Sequence, residues 1–323
     1  MQFHETIKYI RTNQNLRQKD LYVDILSQTT YSRFEKGERM LPIEDIEKIA
    51  NRLGMQLSDI YNIQTEQDKR MVYIIDEINK FMAIKNTTES KLTIADIDSL
   101  YHCAEDFKDI SLSFLRYYYY IRQHFHDFSP NIPEIKVEDV NSIYKKIKKL
   151  KSLTAVYLQF IIDFTVHFSD DQILNISNLF KDYDFKQVSS LNSRFSFQLP
   201  EALSNLTDTS IDRALHREEK MKTLLLQNAD ELLKTLIKYQ EIKYSSDHVL
   251  LYKISKFRYD YYIADSKKSK ALAKEKLEEF LIELEYLIKK SPVPHIYAQA
   301  CIPSVKNTLS GKLPLKEINY IIN

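Results

Sequence analysis

The chain has 323 residues, of which 46 are Lys or Arg, 45 are Asp or Glu and only three are Gly, with a net charge of +1. So few glycines exclude a protein built on Gly-rich phosphate-binding loops, and the abundance of Leu, Ile, Lys and Glu favours helices. The near-neutral charge neither supports nor excludes nucleic-acid binding, which needs only a local basic face.

The two cysteines, Cys103 and Cys301, lie far apart in the sequence. They fit neither a disulfide framework nor a zinc-binding pattern, so we expect two small buried side chains in a reducing compartment. The sequence has no run of about 18 apolar residues, and its N-terminal residues lack the apolar core of a signal peptide. These features predict a cytoplasmic protein that does not span a membrane.

Patterns typical of catalysis or metal binding are absent from the sequence. It contains no HExxH, no GxSxG and no P-loop. His124 and His126 are two residues apart and would point to opposite sides of a helix. His102 and Cys103 lack further ligands at metal-binding spacing. The sequence therefore predicts a protein that is not an enzyme and needs no metal or cofactor.

Five short helices are predicted near the N-terminus. Ser27 is a suitable N-cap for the third helix, and Gly37 can adopt the left-handed conformation that ends it. Pro42 suits the first turn of the fourth helix, and Gly54 can end that helix. A module of this size is too small to form an enzyme pocket but suits a helix-turn-helix domain. The predicted helices cover 5–14, a short second helix that carries Leu21, Ile25 and Leu26, then 28–36, 43–53 and 57–61.

Residues 16–61 resemble the Cro/repressor-type (XRE) helix-turn-helix family. The resemblance is carried by the string SQTTYSRFEKGERMLPIEDIEKIANRLG, Ser27 to Gly54, which follows the family pattern through many positions in order. By this resemblance, Gln18–Asp24 is the first helix of the motif. Gln28–Lys36 is the recognition helix, which such domains place in the major groove of DNA.

The resemblance implies that seven side chains contact DNA. Glutamine and arginine can make paired hydrogen bonds to adenine and guanine edges, so the recognition helix would read bases. Basic residues elsewhere in the motif would lie near phosphates and position the domain without reading sequence. The predicted base-reading residues are Gln28, Thr29, Ser32 and Arg33, and the predicted phosphate contacts are Arg17, Lys36 and Arg39.

Glu35 and Arg17 bear on how this module folds. Glu35 is expected to stabilise the domain through an ion pair with Arg11 or Arg39 rather than to touch DNA. Arg17 stands where the family usually has a capping threonine or serine, so the helix that follows it lacks a hydroxyl cap. The alternative interpretation of the module is a helical bundle that contacts proteins instead of DNA.

Amphipathic segments recur at a spacing of roughly 15–20 residues after the polar stretch Gln64–Arg70. Thr93 and Asp96 form a candidate capping box, and no strand pair with a hairpin turn is evident. The pattern predicts an irregular helical-repeat domain of the tetratricopeptide-like (TPR-like) kind, whose concave surface would suit an extended peptide. Helices are predicted at 71–82, 93–107, 111–125, 137–150, 153–168, 170–184, 211–240, 246–265, 268–290, 292–309 and 314–322.

The fold predicted for the whole chain is all-α, with a five-helix lambda-repressor-like head followed by the helical-repeat domain. We expect a DNA-binding domain at 1–66, a peptide-binding and dimerisation domain at 71–290, and a C-terminal arm or pair of capping helices at 291–323. Pro292, Pro294 and Pro303 are expected in distinct turns of this last segment.

An XRE head followed by a long helical body resembles the peptide-pheromone-responsive regulators of Gram-positive bacteria, the Rgg/PlcR/PrgX group. Length and the opening sequence are most similar to the PrgX/TraA-like pheromone receptors of conjugative plasmids. The head carries most of this resemblance, and the body matches only in length and helical character. The resemblance implies a dimer or tetramer that binds operator DNA, and a helical domain that binds a short apolar peptide.

Two pairs of residues are candidates for contacts with such a peptide. Tyr117 and Tyr120 belong to a run of four tyrosines, which points all round a helix, so one or two of the four should be buried and the others exposed. Asn175 and Asn178 could share a helical face and hydrogen-bond a peptide backbone, since side-chain amides donate and accept at once. Core packing of the tyrosines and solvent exposure of the asparagines are the alternatives.

Three functional hypotheses follow from these observations. The leading one is a transcriptional regulator whose operator binding is altered by a peptide pheromone and which controls plasmid conjugation genes. The second is a phage- or plasmid-type repressor whose helical domain only oligomerises and binds no peptide. The third is a helical scaffold for protein partners that has lost its contact with DNA.

Overall fold

The computed structural model describes residues 2–64, 93–109, 112–150, 153–181, 193–242, 245–291 and 295–311. Every regular element in these ranges is a helix, which confirms the predicted all-α class. The chain divides into two compact units, Met1–Cys103 and Ala104–Asn323, and each is described by itself. Residues 65–70 of the polar stretch, the helices predicted at 71–82 and 314–322, and Pro292 and Pro294 lie outside the described residues.

Five helices form the body of the first unit, as predicted. Their apolar faces meet in one core, in which Ile7, Leu21, Tyr31, Phe34 and Ile49 are fully buried. Burial of such side chains stabilises the unit by about 1.5–3 kcal/mol each. The helices are α1 (Phe3–Asn13), α2 (Gln18–Tyr22), α3 (Gln28–Glu35), α4 (Ile43–Arg52) and α5 (Leu57–Gln64).

Both predicted ends of α3 are confirmed. The Ser27 hydroxyl accepts a hydrogen bond from the Thr30 N–H at 3.2 Å, which caps the N-terminus. Gly37 has a φ of +74°, and its N–H donates to the Phe34 carbonyl at 2.8 Å. A Cβ at this position would lie 2.7 Å from Nε2 of His4. The chain therefore needs glycine here for its backbone conformation and for the close approach of α1.

The start of α2 is capped without the hydroxyl that the sequence lacks. The Asp20 carboxylate accepts a hydrogen bond from the backbone N–H of Arg17 at 2.7 Å. A carboxylate in the first helical turn also interacts favourably with the helix dipole. Pro42 occupies the N-cap position of α4, one residue earlier than predicted.

After α5 the described residues form ten further α-helices, of which seven lie in two rows of the second unit, while α6 crosses the boundary between the two units at Cys103. α7, α9, α11 and α13 contact one another in that order, and α8, α10 and α12 lie in a second row. Thr93 and Asp96 form the predicted capping box at the start of α6, with hydrogen bonds of 2.9 and 3.2 Å. The helices are α6 (Ile94–Phe107), α7 (Leu112–Phe125), α8 (Val137–Lys148), α9 (Ala155–Phe164), α10 (Asp170–Lys181), α11 (Ser193–Ala214), α12 (Glu219–Ile242), α13 (Ser246–Ile263), α14 (Lys267–Lys290) and α15 (Ile296–Leu309).

The prediction for residues 193–242 is wrong. The structure has two helices, α11 and α12, where the sequence pattern predicted a single helix at 211–240 and none before it. Pro200 and the many Ser, Thr and Asn residues lower the local helix propensity of α11. Burial overrides this propensity, because Leu199, Leu203 and Leu206 are fully buried among the neighbouring helices.

Pro303 lies inside α15 rather than in a turn, which corrects the prediction for this segment. Ala298, Cys301 and Val305 of α15 are buried in a core shared with α13 and α14. Packing of this face offsets the hydrogen bond that a proline removes from a helix. α15 therefore packs as part of the core of the second unit. Cys301 is buried as expected, whereas Cys103 is only partly buried.

Arg258 forms an ionic cluster that ties α15 to the rest of the second unit. Its side chain is 2% exposed, and its guanidinium contacts Asp208 at 2.9 Å and also pairs with Asp212. The guanidinium Nε donates to the Thr308 hydroxyl at 3.1 Å. Burial raises the pKa of Asp212 to about 6 even though Arg258 opposes that change. The cluster joins α11, α13 and α15.

Candidate nucleic-acid interface and peptide site

The recognition helix predicted from the sequence is fixed to α1 by a bidentate ion pair. Arg11 donates to the two Glu35 carboxylate oxygens at 2.6 and 3.1 Å. Glu35 also accepts from the Gln18 amide at 2.7 Å, and Arg11 reaches the Leu16 carbonyl at 2.8 Å. Hydrogen bonding to Glu35 is the main reason that the pKa of Arg11 is raised. The predicted role of Glu35 is confirmed, with Arg11 as its partner.

One face of α3 is polar and open to solvent, while the opposite face is buried. Tyr31, Phe34 and Glu35 form the buried face. The four predicted base-reading residues fall at positions i, i+1, i+4 and i+5, which share one side of a helix. Gln28, Thr29 and Arg33 are exposed and Ser32 is partly exposed.

The Arg33 side chain is available for contacts outside the chain. Its Nε lies 3.6 Å from a Glu38 carboxylate oxygen, and the two side chains are 55% and 51% exposed. An ion pair this exposed contributes about 0–1 kcal/mol, so a competing hydrogen-bond acceptor can displace it. Arg33 can therefore reach a base edge at little cost, and the sequence pattern did not single out Glu38 as its neighbour.

The three predicted phosphate contacts are exposed. Lys36 and Arg39 follow the recognition helix, and Arg17 precedes α2. Within the described part of the chain, the side chains of Lys36 and Arg39 have no ionic partner. Unpaired, exposed cations of this kind can neutralise phosphates and displace their counterions.

The N-terminal unit matches a known protein family. Residues 7–60 match the family model described as helix-turn-helix. These residues form a helix-turn-helix domain. In this domain the Arg11–Glu35 pair fixes α3 to α1.

Solved structures resemble nearly the whole chain. The SHP pheromone receptor Rgg2 of Streptococcus dysgalactiae has a TM-score of 0.68 at 12% identity, over 96% of this chain and 100% of that one. A protein of Listeria monocytogenes EGD-e has a TM-score of 0.63 at 16% identity, over 96% and 98%. PrgX in its complex with cCF10 has a TM-score of 0.55 at 18% identity, over 96% and 92%. The chain thus combines a helix-turn-helix domain with the fold of these proteins, which confirms the resemblance at the level of fold.

No curated protein matches the sequence significantly. Within the described residues, no helix is long and apolar enough to cross a membrane. No group of three or more His, Cys, Asp or Glu side chains in those ranges is arranged to hold a metal ion.

The tyrosine run of α7 is more buried than predicted. All four residues are 6–9% exposed, so the expectation that some would face solvent is wrong. Cationic side chains and a neighbouring aromatic ring cover the rings that would otherwise point outward. Arg116 lies 5.4 Å from the Tyr117 ring centroid and 5.6 Å from that of Tyr120, and Phe164 packs edge-on against Tyr119 at 5.6 Å.

The structure does not bring the four candidate peptide-binding residues together. Tyr117 and Tyr120 are buried in α7, in the first row. Asn175 and Asn178 are exposed on α10, in the second row. No hydrogen bond described for these ranges links the tyrosines to the asparagines. Their roles in peptide binding stay predictions.

A group of buried charges lies beside the two candidate tyrosines. The Arg116 Nε pairs with the Asp163 carboxylate at 2.6 Å, with side-chain exposures of 16% and 7%. Burial, followed by the charge of Asp163, raises the pKa of Glu201 to about 7. Burial is also the main cause of the raised pKa of Tyr120, with Asp163 second. The first row of helices therefore holds one arginine against two carboxylates.

Proposed function

We propose that the chain is a sequence-specific DNA-binding transcriptional regulator whose α3 enters the major groove. The observation that supports this most directly is the exposed polar face of α3, which carries Gln28 and Arg33. The Arg11–Glu35 pair holds the opposite face in the domain core. Glutamine and arginine on such a face have the geometry to read adenine and guanine.

Selection from a random pool of double-stranded DNA with the full chain tests this proposal. We expect one enriched sequence with two half-sites about one DNA turn apart, or a multiple of it, because paired heads read symmetric operators. A pool that stays random after repeated rounds would contradict DNA recognition. That result would favour a helical scaffold for protein partners.

We further propose that the helical second unit binds a short apolar peptide that alters operator binding. Support comes from its two rows of helices and from the shared fold with Rgg2, described as a pheromone receptor, and with PrgX bound to cCF10. A peptide can act only through unequal affinity for two states of the regulator. The sequence resemblance suggests a cytoplasmic dimer or tetramer that controls plasmid conjugation genes.

Native mass spectrometry of the protein purified from its own host tests peptide binding. We expect an oligomer that carries the extra mass of a short apolar peptide, and the synthetic peptide should then change operator affinity in a saturable way. An oligomer without added mass, whose operator affinity ignores host peptides, would contradict the proposal. The chain would then be a repressor whose helical domain only oligomerises.

A further inference from the structure

A pocket of about 420 Å³ lies between α7 and α8, beside the residues that follow α6. Its floor consists of the buried side chains Tyr118, Tyr119 and Ile143, and Leu115 extends the apolar wall. Ligand pockets in proteins commonly occupy about 300–1,000 Å³, so this one suits a single residue or two rather than a whole peptide. We refer to it as the α7–α8 pocket.

One carboxylate in the pocket wall, that of Asp139, accepts two hydrogen bonds at the same oxygen. Asp139 accepts from Arg122 at 2.7 Å and from the backbone N–H of Lys136 at 2.9 Å. Arg122 in turn donates to the Glu134 carbonyl at 2.6 Å. These bonds hold Asp139 in place in the pocket wall through its Oδ2 atom.

Three other charged side chains at the rim are available to a ligand. Among the described residues, Lys146 and Asp109 have no ionic or hydrogen-bonded partner. The Lys108 ammonium lies 4.4 Å from the centroid of the Tyr118 ring. Its only ionic contact there is with Glu105 at 3.5 Å, which is weak at this degree of exposure. The rim thus offers two cations and one anion around a small apolar floor, within a lining that is more polar than apolar.

We propose that the α7–α8 pocket binds the carboxyl-terminal residue of an apolar peptide. This inference rests on the proposed peptide binding and names a site for one end of that peptide. The terminal carboxylate pairs with Lys146 and Lys108, and the amide N–H of the same residue donates to Asp109. The apolar side chain of that residue lies against Ile143 and the tyrosine rings.

The mixture of charges distinguishes a chain end from simpler ligands. An inorganic anion could use the two lysines but would meet the negative charge of Asp109 and leave the apolar floor exposed. A cation would be repelled by both lysines. A peptide terminus supplies a carboxylate, an N–H donor and a side chain within one residue, and these groups complement all three features of the pocket.

Methyl NMR of the full chain tests this site. Ile methyl groups are labelled with carbon-13, and the Ile143 signal is identified with the variant Ile143→Val. The probes are acetyl-Val-Leu with a free carboxylate, the same dipeptide with a C-terminal amide, and inorganic phosphate. We expect the free acid to shift the Ile143 signal and to bind about fivefold more tightly than the amide, because the amide loses the ion pairs with the two lysines.

Two lysine variants provide a matched comparison. Lys145 and Lys146 are neighbours on α8 and both are exposed, but only Lys146 lines the pocket. We expect Lys146→Gln to weaken binding of the free acid about fivefold and Lys145→Gln to leave it unchanged. Equal effects of the two variants would overturn the assignment, because they would indicate a diffuse attraction to the basic helix.

Other outcomes also overturn the proposal. Equal binding of acid and amide would show that the carboxylate is not recognised. Saturation of the Ile143 shift by phosphate would reveal an adventitious ion site only, and an unmoved Ile143 signal would show that the pocket takes no chain end. None of these results tests whether a peptide regulates operator binding. That is tested separately by the effect of the host peptide on operator binding.

Discussion

Arg11 and Glu35 connect the first and third helices of the helix-turn-helix domain through two charge-assisted hydrogen bonds of 2.6 and 3.1 Å. The Glu35 side chain is 2% exposed, so the loss of Arg11 would leave a buried carboxylate without its cation. Thr29 and Arg33, which are exposed, lie on a different face of α3 from this contact. Stability of the domain and the orientation of α3 therefore depend on the same pair.

Replacement Glu35→Ala should destabilise the domain by about 3 kcal/mol, because it leaves Arg11 and Gln18 without their shared acceptor. Hydrogen exchange of the full chain measures this locally, and the amides of α3 should lose protection. Lys48→Ala removes an exposed pair with Asp45 at 3.4 Å and should change the exchange little. Unchanged protection of α3 in Glu35→Ala would show that the pair is dispensable.

Gly37→Ala and Gly54→Ala form a matched pair of substitutions. Both glycines have positive φ, +74° and +69°, so each alanine should cost about 1 kcal/mol. Only at Gly37 does a new Cβ meet a neighbour, Nε2 of His4 at 2.7 Å. We expect a larger fall in the melting temperature for Gly37→Ala by calorimetry. Addition of His4→Ala should remove the excess, and equal falls would contradict the close approach.

Arg33→Ala and Lys36→Ala should weaken operator binding in different ways. If Arg33 reads a base, its loss should cost about 1–3 kcal/mol and relax the preference at one base pair. If Lys36 contacts a phosphate, its loss should weaken binding to all sequences alike and reduce the salt slope by about 0.9. Fluorescence anisotropy over a salt series separates the two effects. Undiminished affinity in Arg33→Ala would remove that residue from the interface.

Arg258→Met should destabilise the second unit by about 3 kcal/mol or more, because Asp208 and Asp212 would be left buried without a cation. The loss should be greatest at α15, which Arg258 holds through Thr308, and hydrogen exchange of α15 measures it. Lys253→Met is the control, since its pair with Glu283 at 2.9 Å is exposed at the surface. Protection of α15 that survives in Arg258→Met would show that apolar packing alone holds this helix.

The helix-turn-helix domain could be predicted because its signals are local in sequence. Ser27 and Gly37 bound the recognition helix through bonds to residues three positions away, and turn chemistry of this kind is readable from neighbouring residues. Glu35 falls on the buried face of that helix. Glu35 pairs with Arg11 rather than with Arg39 because of how α1 packs against α3. The local sequence does not show that packing.

The second unit was harder to predict because burial between distant helices decides its structure. α11 contains Pro200 and weak helix formers, yet it is the helix on which α9, α12 and α13 converge. Tyr117 and Tyr120 are covered by the aliphatic and cationic parts of Arg116. Long charged side chains often cover apolar surface in this way. The spacing of the tyrosines in the sequence does not predict that an arginine side chain covers their rings.

Glu201→Gln should alter the pH dependence of stability in a defined direction. Burial beside Asp163 raises the pKa of Glu201 to about 7 from its ordinary value of 4.5. The folded protein therefore favours the neutral carboxyl. Its contribution to stability is complete below pH 4.5 and is lost as the pH rises through 7. Glutamine resembles the neutral form, so the variant should keep this contribution at high pH.

The difference in unfolding free energy between Glu201→Gln and the parent should therefore grow from near zero at pH 4.5 to about 2 kcal/mol at pH 8. Other groups that titrate in this pH range, among them Asp212, contribute equally to both proteins and therefore cancel in this difference. Because Glu201 is partly exposed, solvent screening makes this free-energy difference smaller than the full pKa change would give. Calorimetry across this pH range measures it, with the exposed Glu279→Gln as control. Parallel curves of unfolding free energy against pH for Glu201→Gln and the parent would contradict this prediction. They would show that Glu201 is ionised and solvated in the folded protein, and that Arg116 stabilises the charge of Asp163 alone.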